Sequence, residues 1–164
     1  MSEFEKRRVL LLGLGNDILT DDAVGLNIAR EVRRQLGDRP DLEVVECEEM
    51  GLSLLDHIVG FRDLVLVDAV QTKKAPPGFL HEIGLGDLSI LPSMTPHFFG
   101  IGEALDLGRR LEMQVPDRVR IFAVEVEDPL TLGTEMTPAL TEAMPAMVER
   151  IITCLDELAS TPAA

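Results

Sequence analysis

The sequence contains no tryptophan or tyrosine, and it has only six phenylalanines and two cysteines among 164 residues. Leucine, valine, isoleucine and methionine must therefore fill the core, and the hydrophobic fraction of 46% is sufficient for that. Cys47 and Cys154 lie far apart and form no C-x-x-C spacing, which argues against a disulfide framework or a zinc knuckle. Length and composition predict a single globular domain spanning residues 1–164.

Positive charge is also scarce, since 15 Lys and Arg face 29 Asp and Glu, giving a formal net charge of −14. Nucleic acids and anionic membranes would repel such a chain, so we expect neither as a partner. No segment approaches the roughly 20 apolar residues that span a membrane. The basic residues from Lys6 to Arg8 precede an apolar run that Gly13 interrupts too early for a signal-peptide core. We therefore expect a cytoplasmic protein, with a monomer as the default.

Familiar catalytic and nucleotide-binding motifs are missing. The chain has no G-x-S-x-G elbow, no H-E-x-x-H, and no Gly-Lys-Ser/Thr of a P-loop. The stretch GLGNDILTDDAVG at 13–25 begins like a dinucleotide fingerprint, but the third glycine would fall at Ile18. Its aspartates would also repel a phosphate. The sequence thus argues against a nucleotide-binding protein and against conventional serine, cysteine or zinc proteases.

Strand-like and helix-like segments alternate along the chain. Alternation with nearly all-aliphatic strands predicts an α/β fold, a three-layer α/β/α sandwich around a mostly parallel central sheet. One antiparallel edge strand is possible at 79–83, after a Pro-Gly turn. Pro145 predicts a kink or a delayed start of the closing helix, which otherwise would begin after Thr137. The other predicted strands are 8–12, 42–45, 64–67 and 119–126, and the other predicted helices are 23–36, 52–59 and 100–111.

Acidic residues and one histidine are expected at one edge of this sheet. Asp68 directly follows the predicted strand 64–67, and Asp21 and Asp22 lie in the turn after the first strand. His97 precedes the predicted helix 100–111 and falls near the same edge. Ligands of open α/β sheets bind at this carboxyl edge. Taken singly, however, Asp68 could order a loop and His97 could be an ordinary packed histidine.

A convergence of two carboxylates and one imidazole would favour a bound cation. Carboxylates that lie close together repel each other, and one of them takes up a proton unless a cation is present. Carboxylate and imidazole ligands together suit zinc, nickel, manganese or iron. Three protein ligands would leave coordination positions open for a substrate atom or a water molecule.

The ordered motifs resemble those of the [NiFe]-hydrogenase maturation endopeptidases over nearly the whole chain. The motifs are GLGN at 13–16, TDDAVG at 20–25, LVDA at 66–69, PHFFG at 96–100 and EVEDPLTLGTEMTP at 125–138. The resemblance implies an endopeptidase that removes the C-terminal extension of a [NiFe]-hydrogenase large-subunit precursor after nickel insertion. It also implies that nickel arrives with the substrate and is not a resident cofactor of the enzyme.

The resemblance assigns roles to individual residues. Asp22, Asp68 and His97 match the residues that contact the metal, and they are the predicted catalytic residues. From the residues themselves, Asp21 is expected to cap the first helix, as Thr20 or Asp22 could also do, and to supply hydrogen bonds; Asp17 is expected to be scaffold or surface. The predicted substrate-binding residues are Gly13, Gly15, Asn16 and Gly51.

One stretch departs from the family pattern. Many relatives carry a glycine-rich D-G-G-T-x-G sequence after the second strand, and here Glu46 to Gly51 retain only the last glycine. This departure leaves the hydrogenase partner open. Cys47, within the stretch, fits a small buried residue at a strand end better than a redox or metal role. Two other functions remain alternatives to the endopeptidase: a non-enzymatic, metal-recognising assembly chaperone, and a metallohydrolase with its own ion.

Overall fold

The computed structural model describes residues 9–90 and 97–161. Within these residues, five strands form one sheet in the order β2-β1-β3-β5-β4. The first three neighbouring pairs are parallel, whereas β4 runs antiparallel to β5 at the edge. The predicted mostly parallel sheet with an antiparallel edge strand is therefore confirmed. The strands are β1 (Val9–Leu14), β2 (Leu42–Cys47), β3 (Asp63–Val70), β4 (Leu80–Ile83) and β5 (Arg118–Glu125).

Helices cover both faces of the sheet. The α-helices are α1 (Val24–Leu36), α2 (Leu55–Ile58), α3 (Ile101–Arg110) and α4 (Pro138–Ser160), and 3-10 helices span Gly51–Leu54 and Leu85–Ile90. Helices α1 and α4 pack on one face, and α2 and α3 pack on the other. The result is the expected three-layer α/β/α architecture. Among the described residues, no helix has both the length and the apolar character needed to cross a membrane.

Alternate side chains of each central strand pack into two separate cores, one on each face of the sheet. In β1, Leu11 packs beneath α1 and α4, while its neighbours Leu10 and Leu12 pack against α2 and α3. Successive side chains of a strand point to opposite faces, so a strand covered on both sides must be apolar throughout. The only large aromatic side chains that are fully buried in the described residues are Phe98 and Phe122, one in each core.

The third strand is longer than its hydrophobic pattern predicts. The predicted strand ended at Val67, whereas β3 continues to Val70 and includes Asp68. The pairing explains the difference: β1 follows β3 only as far as Gly13 opposite Val67, but β5 pairs with it to the end. Asp68 therefore lies inside β3, one residue beyond the last residue that pairs with β1.

Other predicted boundaries need smaller corrections. Strands β1 and β2 each end two residues later than predicted, at Leu14 and Cys47, and position 8 lies outside the described residues. The predicted helix 52–59 is instead a 3-10 turn followed by the single turn of α2. A glycine with positive φ, Gly51, starts this turn.

The closing helix starts where the Thr137-Pro138 signal predicts, and Pro145 does not delay it. Proline lacks the N–H that would bond to the carbonyl of Thr141. Pro145 and Thr141 both lie on the exposed side of α4, where water can hydrate that carbonyl. Of the two predicted effects of Pro145, the delayed start is therefore wrong, and the kink stays a prediction.

Gly25 lets α1 rest directly on the backbone of the sheet. A Cβ at this position would lie 2.2 Å from the carbonyl oxygen of Leu14 and 2.5 Å from that of Val67. Because both neighbours are backbone atoms, Gly25→Ala is expected to lower the free energy of unfolding by about 3 kcal/mol. Denaturant titration measures the change.

Gly102→Ala is the matched control for that substitution. Gly102 lies inside α3, and a Cβ there would meet no atom within 4 Å. Alanine should therefore stabilise the protein by about 0.5 to 1 kcal/mol. Similar unfolding midpoints for the two variants would contradict the close packing of α1 on the sheet.

Candidate functional site

Two buried glycines shape the turn that brings Asp22 to the edge of the sheet. A Cβ at Gly13 would lie 2.4 Å from the carbonyl oxygen of Gly25, and one at Gly15 would lie 2.2 Å from that of Asp22. Both glycines are buried against their own turn and the start of α1. The backbone that lies close to both glycines belongs to this chain, and contact of Gly13 and Gly15 with a substrate stays a prediction.

Asp21 ties this turn to the loop before α4. Its fully buried carboxylate accepts the backbone N–H groups of Glu127 at 3.1 Å, Asp128 at 2.8 Å and Thr137 at 2.8 Å. The Thr137 hydroxyl donates to the same carboxylate at 2.9 Å. Helix α1 has Ala23 as its N-cap without a side-chain bond, so the predicted capping role of Asp21 is wrong. Its hydrogen bonds support the 127–137 loop instead.

Asp68 is a fully buried carboxylate held by backbone N–H groups. One oxygen accepts from Ala69 at 2.8 Å, and the other accepts from Phe98 at 3.1 Å. Burial raises the pKa of Asp68 to about 7, although the charge of His97 and the two N–H donors oppose the rise. The negative charge of Asp22 adds to it. A buried carboxyl group of this kind is stabilised by taking up a proton or by a nearby cation.

His97 lies between the two carboxylates. Its Nε2 is 3.0 Å from Oδ2 of Asp22, and this hydrogen bond is the main reason that the pKa of His97 is raised, with Asp68 adding to the effect. Its Nδ1 is buried and has no hydrogen-bond partner among the described residues. One ligand atom from each of Asp22, Asp68 and His97 lies within 4.8 Å of the others. The structure thus brings together the three residues expected at this edge; Pro96 of the motif is outside the described residues.

The remaining predicted residues surround this cluster. Oδ1 of Asn16 accepts the N–H of Ile18 at 3.2 Å, which orders the turn, and Asp17 forms an ion pair with Arg30 at 2.7 Å. Asp17 is therefore scaffold, as expected. Gly51 has φ +66° and lies so close to Gly100 that a Cβ on the latter would be 2.8 Å from the Gly51 Cα. Substrate contacts of Asn16 and Gly51 remain predictions.

Sequence reasoning missed Glu48 as part of the site. Its charge contributes to the raised pKa of His97, and its Oε1 accepts the N–H of Asp17 at 3.1 Å. Glu48 directly follows β2, at the same edge as Asp68. The position of Glu48 shortly after the predicted strand 42–45 is the signal that could have identified it as a residue of the site.

A family model described as "Hydrogenase maturation protease" matches residues 26–154. The chain belongs to the hydrogenase maturation protease family. Asp68 and His97 lie inside the matched range, and Asp22 lies just before it. Membership confirms the resemblance inferred from the sequence motifs and, with it, the expectation of a peptidase with a role in hydrogenase maturation.

Individual members of the hydrogenase maturation protease family match over most of their length. The hydrogenase 2 maturation protease of Escherichia coli K12 is 27% identical over 153 residues, which are 92% of each chain. The hydrogenase-maturating endopeptidase HybD from E. coli superposes with a TM-score of 0.79 at 25% identity, covering 92% of this chain and 93% of its own. HybD from Thermococcus kodakarensis, at 24% identity, shares the fold with a TM-score of 0.68 over 90% and 99% of the two chains.

Proposed function

We propose that this chain is the endopeptidase that removes the C-terminal extension of a [NiFe]-hydrogenase large-subunit precursor after nickel has been inserted. The observation that carries the proposal is the convergence of Asp22, Asp68 and His97 within 4.8 Å. Family membership supplies the peptidase role. The three side chains supply a way to recognise the metal of the substrate.

The donor set suits a nickel ion that another protein already holds. Two carboxylates and an imidazole are acceptable ligands for a borderline divalent ion. They leave several coordination positions for ligands from the precursor. A cation beside Asp68 would offset the cost of burying its charge. Metal-free precursor offers no such compensation, so it should bind weakly.

Each of the three side chains has a distinct task in this proposal. Asp68 is fixed by two backbone N–H groups, so its oxygens hold one position for the ion. The Nε2–H of His97 donates a hydrogen bond to Oδ2 of Asp22 at 3.0 Å, and this contact keeps the two proposed ligand side chains next to each other. An ion held there can polarise the scissile carbonyl or lower the pKa of a bound water. This chemistry requires no serine or cysteine nucleophile, in agreement with the absence of their motifs.

The test compares nickel-loaded and nickel-free precursor. Incubation with the protein should shorten the loaded precursor by its extension, measured by mass spectrometry, and leave the nickel-free one intact. His97→Ala should lower the cleavage rate by about 100-fold or more, because it removes a proposed ligand and the partner of Asp22.

His81→Ala is the control for the histidine substitution. His81 lies on β4 at the far edge of the sheet, where its Nε2 is 3.1 Å from Glu125. This variant should cleave at the parent rate. Equal cleavage of both precursors, or full activity of His97→Ala, would rule out recognition of nickel. An uncut precursor in a stable complex would favour the assembly chaperone, and a stoichiometric ion in the purified protein would favour the metallohydrolase.

A further inference from the structure

A second cluster of metal-binding side chains lies at the end of β2. The sulfur of Cys47, a carboxylate oxygen of Glu49 and a ring nitrogen of His57 lie within 4.8 Å of one another. This cluster shares no residue with Asp22, Asp68 and His97. We propose that Cys47, Glu49 and His57 form a separate site for Zn²⁺ or a similar borderline divalent ion.

The local chain path explains why these three residues meet. Cys47 is the last residue of β2, and Glu49 follows two residues later. The 3-10 turn that begins at Gly51 then leads into the short helix α2, which carries His57. Nε2 of His57 is 3.6 Å from Oε2 of Glu49. The backbone N–H of Glu49 points at the Cys47 sulfur, with a distance of 3.4 Å between the nitrogen and the sulfur.

The donor types match the chemistry of zinc. Thiolate, imidazole and carboxylate are its usual protein ligands, at bond lengths of about 2.0 to 2.3 Å. Tetrahedral geometry at those lengths separates ligand atoms by about 3.3 to 3.6 Å. The Nε2–Oε2 distance of 3.6 Å already fits, and the other two separations need to shorten by at most about 1 Å. The Glu49 side chain can provide this movement because 57% of it is exposed. Three protein ligands leave the fourth position for water or another ligand.

The charge balance also favours a cation at this place. Burial raises the pKa of the Cys47 thiol, and the charges of Glu49 and Glu48 raise it further. A divalent ion would bind Cys47 as the thiolate and release the thiol proton to solvent, and the N–H of Glu49 would continue to support the sulfur.

An ion in this site would fasten the end of β2 to α2. The segment between them includes Gly51, which packs against Gly100 at the start of α3, close to His97. Binding to the folded protein alone raises its stability by mass action. Zinc should therefore raise the melting temperature, and this readout requires neither the hydrogenase precursor nor nickel.

Cobalt titration provides the main test, because a cobalt–thiolate bond absorbs in the near ultraviolet. The full-length protein should show this band with saturation at one Co²⁺ per chain, and Zn²⁺ should displace it. Cys47→Ser should abolish the band, and His57→Ala should weaken binding by about tenfold or more. Cys154→Ala is the matched control: Cys154 is the other buried cysteine, it lies in α4 and packs in the core on the other face of the sheet, and its loss should leave the band unchanged.

Two further measurements distinguish loss of this site from loss of the proposed nickel-recognition site and from unfolding. His97→Ala should keep the band, which separates this site from the proposed nickel-recognition site. Circular dichroism of Cys47→Ser should show a folded protein whose melting temperature no longer responds to Zn²⁺. The proposal fails if the parent shows no thiolate band. It also fails if the band survives in Cys47→Ser, or if it depends on His97 or Cys154.

Discussion

Asp68→Asn is expected to stop cleavage of the precursor while leaving the protein at least as stable as the parent. Asparagine keeps the shape of the side chain and can still accept one of the two backbone N–H groups that now bond to Asp68. It loses the charge that the proposed recognition of nickel requires. Losing a metal ligand should lower the cleavage rate by at least about 100-fold. A cleavage assay with nickel-loaded precursor measures the loss.

The expected stability follows from the titration of Asp68. Burial raises the pKa of Asp68 to about 7 in the folded protein, from the ordinary value of 3.8 for an aspartate. The folded state therefore binds more protons than the unfolded state between these values, and stability falls as the pH rises from about 4 to about 7. At about pH 8, Asp68→Asn should be more stable than the parent by about 2 kcal/mol. The gain should vanish below about pH 4, and urea unfolding at both pH values measures it.

Asp63→Asn is the control, because Asp63 is the other fully buried aspartate of β3. Its carboxylate accepts from Arg118 at 2.5 and 2.8 Å and from Arg62 at 3.1 Å, at the opposite end of the strand. Breaking that ion pair should lower the free energy of unfolding by about 3 kcal/mol and leave the proposed cleavage of nickel-loaded precursor intact. If Asp68→Asn were destabilised as strongly as Asp63→Asn, Asp68 would be a structural residue.

The contrast between Asp63 and Asp68 shows what the sequence could reveal about the site. The aliphatic run 64–67 predicts a central strand, and the rule for open α/β sheets predicts ligands at its carboxyl end. The position of Asp68 inside the strand was not predictable, because a polar residue normally marks the end of a hydrophobic pattern. It depends on β5 pairing further along β3 than β1 does.

Contacts between distant segments account for the other features of the site that the sequence did not predict. The 3.0 Å contact of His97 with Asp22 joins residues 75 positions apart, which no local pattern specifies. The packing of α1 against Gly13, where a Cβ would meet Gly25 and Ala29, is likewise a contact that the glycine pair alone does not predict. Cys47 is buried at a strand end, as expected. The closeness of His57 to Cys47 was not predicted, because it depends on the path of the turn between β2 and α2.

Among the substitutions at the site, Asp21→Ala is expected to lower the free energy of unfolding the most. The buried carboxylate is the shared acceptor for the backbone N–H groups of Glu127, Asp128 and Thr137. Alanine would leave these donors without a partner in a buried place, at about 1 to 3 kcal/mol for each group that water cannot reach. We expect the free energy of unfolding to fall by about 4 kcal/mol. Hydrogen exchange should show the three amides losing protection.

Asp22→Ala is the matched comparison, because the two aspartates are adjacent and differ in their contacts. Among the described residues, the side chain of Asp22 has one hydrogen-bond contact, with His97, and it is partly exposed. Its removal should change stability by less than about 1 kcal/mol but should abolish cleavage. Asp21→Ala should impair cleavage only in proportion to unfolding and to displacement of the 127–137 loop. If the amides of that loop stay protected in Asp21→Ala, other contacts of the turn hold it, such as that of the Thr20 N–H with the Thr131 carbonyl at 2.9 Å. Asp21 would then not be the residue that joins the turn carrying Asp22 to the loop before α4.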